Sequence, residues 1–361
     1  MQSPTCIQPR AHRHYRQLSS YLVPRRKSAT ILTGNILRAP LWLLSLVSMV
    51  IVSGCAGFDL SQGPQLKLHE VHPFGARRLA FNPSGSRLAS GGLNGEVKIW
   101  SLPSGDLLAV LPGSNDAISG LLWPDEDHIL CSDEQGRILL WNIPSRSVKA
   151  ANRSGDITGI AILPEPQRLI TGDSSGRVQS FSFPGFERLA ATELDSEVLS
   201  VATEPGRQWV AVATADRGVL LLDGQLRPVQ TIQSPPGRIF ELRFSPDGRQ
   251  LAGGSWFRIF LWTLPSGELQ VRDTEHTGAI VSLDYSPDGR QMVSIGRITD
   301  SRILVTDAAS GMVNRRLTPQ PLCGWNVRFS PDGRHIAGAS EDGSVHLYDL
   351  TIPYEPTWYH D

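Results

Sequence analysis

Beyond residue 60 the sequence lacks any stretch with the periodicity of a long amphipathic helix, so we predict an all-β fold. No His, Cys or carboxylate residues recur at the spacing of metal ligands, and no glycine-rich loop precedes a helix as it does at phosphate sites. We therefore expect no metal, no cofactor and no catalytic residues.

One hydrolase-like motif does occur, as Gly172-Asp173-Ser174-Ser175-Gly176. The Gly-x-Ser-x-Gly elbow of serine hydrolases needs a strand before the serine and a helix after it. Because a strand pattern follows this segment, we expect a turn between two strands instead of a nucleophile.

Acidic residues are absent from the first 54 positions, which carry seven Lys and Arg. Since the whole chain has 34 Lys and Arg against 35 Asp and Glu, the remainder has 27 bases, 35 acids and a formal charge of −8. Nucleic-acid binding needs cations to neutralise phosphates, so this acidic body argues against a nucleic-acid partner.

A unit of about 40 residues repeats seven times along the chain. The turn sequence Ser-Pro-Asp-Gly-Arg occurs at 245–249, 286–290 and 330–334. An apolar strand pattern recurs in every unit, ending at positions 100, 141, 181, 222, 262, 306 and 348. A period of roughly 40–45 residues with four strands per unit is typical of propeller blades, which must pack in a ring to bury both faces. We predict a seven-bladed β-propeller of four-stranded antiparallel blades over residues 65–350.

The repeats resemble those of the WD-repeat β-propeller family. That family places a His before the innermost strand, a Ser in the second strand, an Asp in the next turn and a Trp in the third strand. The matching residues here are His72, Ser90, Asn94 and Trp100 in the first blade, and His276, Ser294 and Asp300 in the sixth. The resemblance implies that they form structural hydrogen-bonded tetrads, although no blade carries all four family residues.

The seventh unit ends after its third strand, at Leu350. We expect residues 65–71 to supply the missing outer strand, because closing the ring with the N-terminus removes an open edge. The C-terminal tail, residues 351–361, is the alternative, but its two prolines make it a poor strand.

Cys131 and Cys323 fall in units separated by a whole blade, whereas a disulfide needs Cα atoms within about 7 Å. We expect both to be unpaired thiols.

The N-terminal segment has the parts of a secretory signal: basic residues, an uncharged run from Ala39 to Phe58 and a Val-Ser-Gly-Cys ending at Cys55. This ending resembles the bacterial lipobox, in which the cysteine is lipidated after cleavage. We predict a leader over residues 1–54 and a lipid-anchored tether over 55–64, with the propeller facing the periplasm. Ala56 resembles the pattern of lipoproteins sent to the outer membrane. An uncleaved membrane anchor is the alternative, because twenty uncharged residues could just span a bilayer.

Two groups of residues are candidate sites. Trp256 and Phe257 occupy a turn where other units carry polar residues or glycine, so they either pack on a neighbouring blade or anchor a partner. Alignment of the innermost strands predicts a polar cluster in the central channel, opposite a wall of small and apolar residues. Its members are Arg78, Glu241, Arg243, Asp284, Asn326 and Arg328. The cluster forms either an ion-pair ladder between blades or a pocket for an anionic group.

These features favour a monomeric, non-catalytic platform for unidentified envelope proteins, since the rim loops of a rigid ring are free to vary. An enzyme or small anionic-ligand binder that uses the central channel is the alternative. An architectural envelope protein without a discrete partner is a third.

Overall fold

A computed structural model describes residues 61–354 of the chain, apart from 70, 114–115, 152–154, 205, 207, 233–234 and 236. All regular elements in this part are β-strands, and they form seven sheets. The prediction of an all-β, seven-bladed propeller with four-stranded antiparallel blades is confirmed. No described helix could cross a membrane.

Seven innermost strands, one per blade, surround the channel. They are β3 (Ala76–Phe81), β7 (Ile118–Asp125), β11 (Ile157–Leu163), β15 (Val198–Thr203), β19 (Glu241–Phe244), β23 (Ala279–Tyr285) and β27 (Gly324–Phe329). Each contacts the innermost strand of the next blade, and contacts between β27 and β3 close the ring.

Each innermost strand pairs antiparallel with a second strand of its own blade. These second strands are β4 (Arg87–Gly92), β8 (His128–Asp133), β12 (Arg168–Asp173), β16 (Val210–Thr214), β20 (Gln250–Gly254), β24 (Gln291–Arg297) and β28 (His335–Ser340). The third strands are β5 (Val97–Ser101), β9 (Ile138–Asn142), β13 (Arg177–Ser182), β17 (Gly218–Leu222), β21 (Arg258–Thr263), β25 (Ile303–Asp307) and β29 (Val345–Asp349). They contain the seven apolar repeats on which the prediction of seven blades rested.

The outer strands of the first six blades follow directly in the chain. They are β6 (Leu107–Leu111), β10 (Ser147–Ala151), β14 (Arg188–Glu193), β18 (Pro228–Thr231), β22 (Glu268–Asp273) and β26 (Val313–Leu317). In the seventh blade the outermost strand is β2 (Leu66–Leu68), which pairs antiparallel with β29. The sequence does not predict β1 (Ser61–Gln62), which adds a fifth, parallel strand to the sixth blade beside β26.

The repeated Ser-Pro-Asp-Gly-Arg segment forms the turn between first and second strands. In the fifth blade Ser245 Oγ donates to Asp247 Oδ1 at 2.6 Å, and the same carboxylate oxygen accepts the Arg249 amide at 3.0 Å. Gly248 has a φ of 66°, a conformation that glycine adopts without steric cost. The sixth and seventh blades repeat these hydrogen bonds.

The core is divided among the junctions between blades. Among the described residues, seven hydrophobic clusters form, and each joins side chains of two neighbouring blades. One example is the cluster that packs Trp262 of the fifth blade with Leu221 of the fourth. Stability therefore depends on contacts between neighbouring blades around the whole ring.

Candidate interaction surface and central channel

Four of the six polar residues predicted in the channel form one ion-pair network. Glu241 Oε1 lies 3.2 Å from Arg243 Nη2 and 2.8 Å from Arg328 Nη2. Arg243 Nε lies 3.7 Å from Asp284 Oδ1. Burial alone would raise the pKa of Glu241, but Arg328 and Arg243 lower it to about 2. Burial raises the pKa of Asp284, although Arg243 and Arg328 oppose that shift.

Side chains of the innermost strands also bind the backbone of neighbouring blades. A polar side chain of one blade accepts a hydrogen bond from an amide of the next blade in four successive junctions. The pairs are Ser200 with Leu242 at 3.0 Å, Glu241 with Leu283 at 3.0 Å, Ser282 with Val327 at 3.1 Å, and Asn326 with Leu79 at 3.1 Å. Arg78 instead donates to the Ser119 carbonyl of the second blade at 2.7 Å. These contacts make the cluster an inter-blade ladder.

Three apolar side chains lie on the opposite channel wall, among small and hydroxyl-bearing residues such as Gly120 and Ser119. Leu122, Ile160 and Leu199 come from the second, third and fourth blades, and all three are half-buried and line the channel cavity. This cavity has a volume of about 360 Å³, and the polar cluster lies on its other side. A second cavity, of about 430 Å³, is lined by residues of the second to fifth blades and shares Arg243 and Trp123 with the first.

Trp256 and Phe257 have different environments. Trp256 is half-buried, forms an isolated bridge with Ala279 and stacks edge-on against Phe240 with ring centroids 6.1 Å apart. Phe257 is 49% exposed and has a φ of 64°. The structure thus packs the first aromatic on its neighbours and leaves the second at the surface.

Phe257 belongs to a larger set of exposed apolar residues on one rim, which we call the apolar arc. Its members are Phe74, Phe257, Ile298 and Leu322, with exposures of 79%, 49%, 41% and 38%. Phe257 and Ile298 lie between second and third strands, whereas Phe74 and Leu322 lie between outer and innermost strands. Because strands alternate in direction, both kinds of loop lie at the same end of the ring.

The loops that carry Phe257 and Ile298 each contact the next blade. The Phe257 amide donates to the Gly278 carbonyl at 3.1 Å, and Cys323 Sγ lies 3.9 Å from the Ile298 carbonyl. At the junction of the sixth and seventh blades, the Arg297 guanidinium lies 3.3 Å from the centre of the Trp325 ring. The sequence did not lead us to this cation–π pair, because its members come from different blades.

The predicted tetrad residues are hydrogen-bonded in the first blade. His72 contacts Asn94 Oδ1 at 3.2 Å and Ser90 Oγ at 3.0 Å, and Trp100 Nε1 donates to the same Ser90 oxygen at 3.0 Å. Asparagine therefore replaces the family's aspartate without breaking the chain of bonds. Burial, with the nearby Lys98 charge, lowers the pKa of His72 to about 4.

In the sixth blade only three residues form the hydrogen-bonded set. His276 contacts Asp300 Oδ2 at 2.7 Å and Ser294 Oγ at 2.9 Å, whereas Thr306 donates to a backbone carbonyl instead. Burial alone would raise the pKa of Asp300, but His276 and Arg302 hold it below its ordinary value.

The family model for the WD domain, G-beta repeat, matches residues 63–101, 226–263 and 324–349. Each match covers the first three strands of a blade, and the first and second also take in the preceding outer strand, β2 and β18 respectively. The chain is a seven-bladed β-propeller with WD repeats in its first, fifth and seventh blades.

Several curated proteins are similar to the chain at low identity. The protein HIR1 of Kluyveromyces lactis is 25% identical over 226 residues, which cover 58% of this chain and 23% of the relative. THO complex subunit 3 of Arabidopsis thaliana is 24% identical over 202 residues, covering 54% and 62%. Serine-threonine kinase receptor-associated protein of Gallus gallus is 23% identical over 202 residues, covering 55% and 57%. The chain thus spans less than two thirds of each of these relatives.

The structure also shows the environment of the other residues that the sequence analysis singled out. Asp173 accepts hydrogen bonds from the Ser175 and Arg177 amides, which makes the Gly172–Gly176 segment a turn between strands. Cys131 is a buried free thiol. The prediction of a free thiol at Cys323 is wrong, because this residue is disulfide-bonded. Within the described residues no group of His, Cys, Asp or Glu could hold a metal ion. Cys55 lies outside the described part of the chain.

Proposed function

We propose that the protein is a non-catalytic platform for protein–protein interaction, held at the bacterial cell envelope by a lipid on Cys55. The propeller fold supports the first part, since it presents variable loops on a rigid ring. The names of two relatives, a complex subunit and a receptor-associated protein, describe members of assemblies and favour the same role.

The observation that carries the proposal is the position of Phe257. At the equivalent point of the turn between second and third strands, other blades place a glycine with positive φ, such as Gly95, Gly136 and Gly343. The fifth blade places a bulky aromatic there, although a side chain at positive φ is strained and exposed apolar area is unfavourable. Strain of this kind concentrates at functional sites. Phe74 and Ile298 of the apolar arc share the feature, with φ of 76° and 78°.

Substitutions at 256 and 257 should separate packing from recognition. We expect Phe257→Ser to change the free energy of unfolding by less than about 1 kcal/mol, since the ring is half in solvent. Trp256→Ser should cost about 2 kcal/mol, below the roughly 3–5 kcal/mol of a fully buried aromatic. Urea unfolding followed by tryptophan fluorescence measures both.

Photo-crosslinking in intact cells tests the recognition role of the apolar arc. A photoreactive amino acid at position 257 or 298 should crosslink to one discrete protein. Changing another residue of the apolar arc to serine in the same protein should weaken that crosslink. Met312 is the matched control, because it is 71% exposed but lies between third and outer strands, at the opposite end of the ring. Equal adducts at 257 and 312 would contradict the proposed partner surface.

The anchor rests on the Val-Ser-Gly-Cys ending of the uncharged N-terminal run. We expect Cys55→Ser to abolish lipid labelling and to release the propeller into the periplasm or leave its leader uncleaved. Ala56 favours the outer membrane as the destination. Fractionation of wild-type cells, with and without detergent, measures the effect. A wild-type protein that is soluble without detergent would refute the anchor.

A further inference from the structure

The outer strand of the first blade, β6, has an apolar and open edge. Leu107, Leu108 and Val110 are 48%, 48% and 44% exposed, whereas no other described outer strand exposes more than one large apolar residue. Among the described strands β6 pairs with β5 alone, so its other edge presents backbone amides and carbonyls without a strand partner. Such an edge is a template for pairing with another strand.

The other described outer strands are protected against pairing of this kind. Charged residues and proline on an edge strand discourage the approach of a second strand. β10 carries Lys149, β14 carries Arg188 and β18 begins at Pro228. β2, β22 and β26 also contain charged residues, whereas β6 consists of Leu, Ala and Val only. Both protective devices are therefore missing from β6.

The sixth blade shows that an outer edge of this ring accepts a further strand. β1 pairs in parallel with β26, with Ser61 opposite Arg316 and Gln62 opposite Leu317. Both residues of β1 are buried, and Gln62 Oε1 accepts a hydrogen bond from Arg315 at 2.9 Å. The space outside a blade is therefore wide enough for a fifth strand.

The sequence of β6 is complementary to itself. Two β6 strands can pair antiparallel in a register centred on Ala109, which then lies opposite the same residue of the second copy. The opposed pairs in this register are Leu107 with Leu111, Leu108 with Val110, and Ala109 with Ala109. Asp106 lies opposite Pro112, so no like charges meet. Large apolar side chains directly opposite one another stabilise a strand pair, whereas like charges destabilise it.

We propose that the protein forms a symmetric dimer through antiparallel pairing of two β6 strands. The pairing satisfies the open edge of both copies and joins two four-stranded blades into one sheet of eight strands. It also removes apolar surface of Leu108 and Val110 from water. The dimer replaces the monomer expected from the sequence.

This interface does not depend on the proposed function. It lies on the outer side of the first blade, whereas the apolar arc lies at one end of the ring. It also needs no lipid on Cys55. Loss of the arc or of the anchor therefore leaves the test of the dimer unaffected.

A cysteine at the centre of the pair tests the register. Directly opposed residues of an antiparallel pair have Cα atoms about 4.5–5.5 Å apart, which a disulfide can span. We expect Ala109→Cys to give a disulfide-linked homodimer when the detergent-solubilised full-length protein is mildly oxidised and run on a non-reducing gel. Ala190→Cys is the matched control, because this alanine is also half-buried in an outer strand, and it should stay monomeric. The wild type shows the background from the four native cysteines.

An exchange of charges tests the dimer without a new covalent bond. Leu108 and Val110 are about half exposed, so changing both to Lys, or both to Glu, should preserve the fold. Each doubly substituted protein should be monomeric, because like charges then lie directly opposite one another. An equal mixture of the two proteins should dimerise again, since each Lys then faces a Glu. Sedimentation velocity measures these states.

Three outcomes would overturn the proposal. The first is a wild type that sediments as a monomer at every concentration tested. The second is a disulfide-linked dimer that forms no better from position 109 than from position 190. The third is a mixture of the Lys and Glu proteins that remains monomeric although both proteins are folded. If the added charges disturb the fold, the cysteine test still decides the question.

Discussion

Glu241→Ala is expected to lower the free energy of unfolding by about 3–5 kcal/mol, because the change leaves buried cations without their partner. Glu241 contacts Arg243 at 3.2 Å and Arg328 at 2.8 Å, and it accepts the Leu283 amide at 3.0 Å. Its side chain is only 15% exposed, so water cannot replace all three contacts. Urea unfolding followed by tryptophan fluorescence measures the loss.

A surface pair supplies the matched control. Glu197 lies 2.8 Å from Arg238, but its side chain is 37% exposed, so Glu197→Ala should cost less than about 1 kcal/mol. In a double-mutant cycle, Glu241→Ala combined with Arg328→Ala should lose less than the sum of the single changes. Simple additivity would show that these groups do not interact, and the ladder between the fifth and seventh blades would have to be abandoned.

Acidification from about pH 7 to about pH 4 should destabilise the propeller by about 3 kcal/mol for each of two histidines. Burial lowers the pKa of His72 from 6.5 to about 4, and the nearby Lys98 charge adds to this shift. Burial likewise lowers the pKa of His346 to about 4, and Lys67 adds to that shift. In this window the unfolded chain binds more protons than the folded chain, so stability falls with pH. The two side chains are almost fully buried, so solvent screens these shifts little.

Variants isolate the histidine contribution from that of the carboxyl groups. Below about pH 4.5, protonation of Glu241 removes further stability, while the raised pKa of Asp284 acts in the opposite sense. His72→Gln should flatten the dependence between about pH 6.5 and about pH 4 by roughly half. Phe257→Ser removes no titratable group and should keep the wild-type dependence. An unchanged slope in His72→Gln would contradict the assigned shift.

The repeat pattern made the fold predictable because the same physical constraint acts seven times. Each third strand must be apolar on both faces to pack between neighbouring blades, and each Pro-Asp-Gly turn needs a residue with positive φ. The alignment of the innermost strands also brought Glu241, Arg243 and Asp284 to adjacent positions. Register alone could indicate their proximity, since side chains two residues apart share a face.

What the sequence could not predict depends on contacts between blades and on the conformation of loops. The stacking of Arg297 on Trp325 joins strand β24 of the sixth blade to strand β27 of the seventh, and no local pattern brings the two residues together. Phe74 and Ile298 look like ordinary loop residues until their positive φ and exposure are known. Phe257 did carry a signal, because it stands where other repeats have glycine. The prediction at Cys323 was wrong because the spacing of the blades excludes only Cys131 as its partner.

The pairing of β2 with β29 sets the order of events during folding. Leu66 pairs with Leu347, a partner 281 positions later in the chain. The segment synthesised first must therefore wait for the segment synthesised last, and the ring remains open until nearly all of the propeller is available. Contacts of such sequence separation slow folding and leave strand edges exposed while the chain waits. A chain truncated before β29 would lack the third strand of its last blade and leave β2 without a partner, and its edges would be open to aggregation.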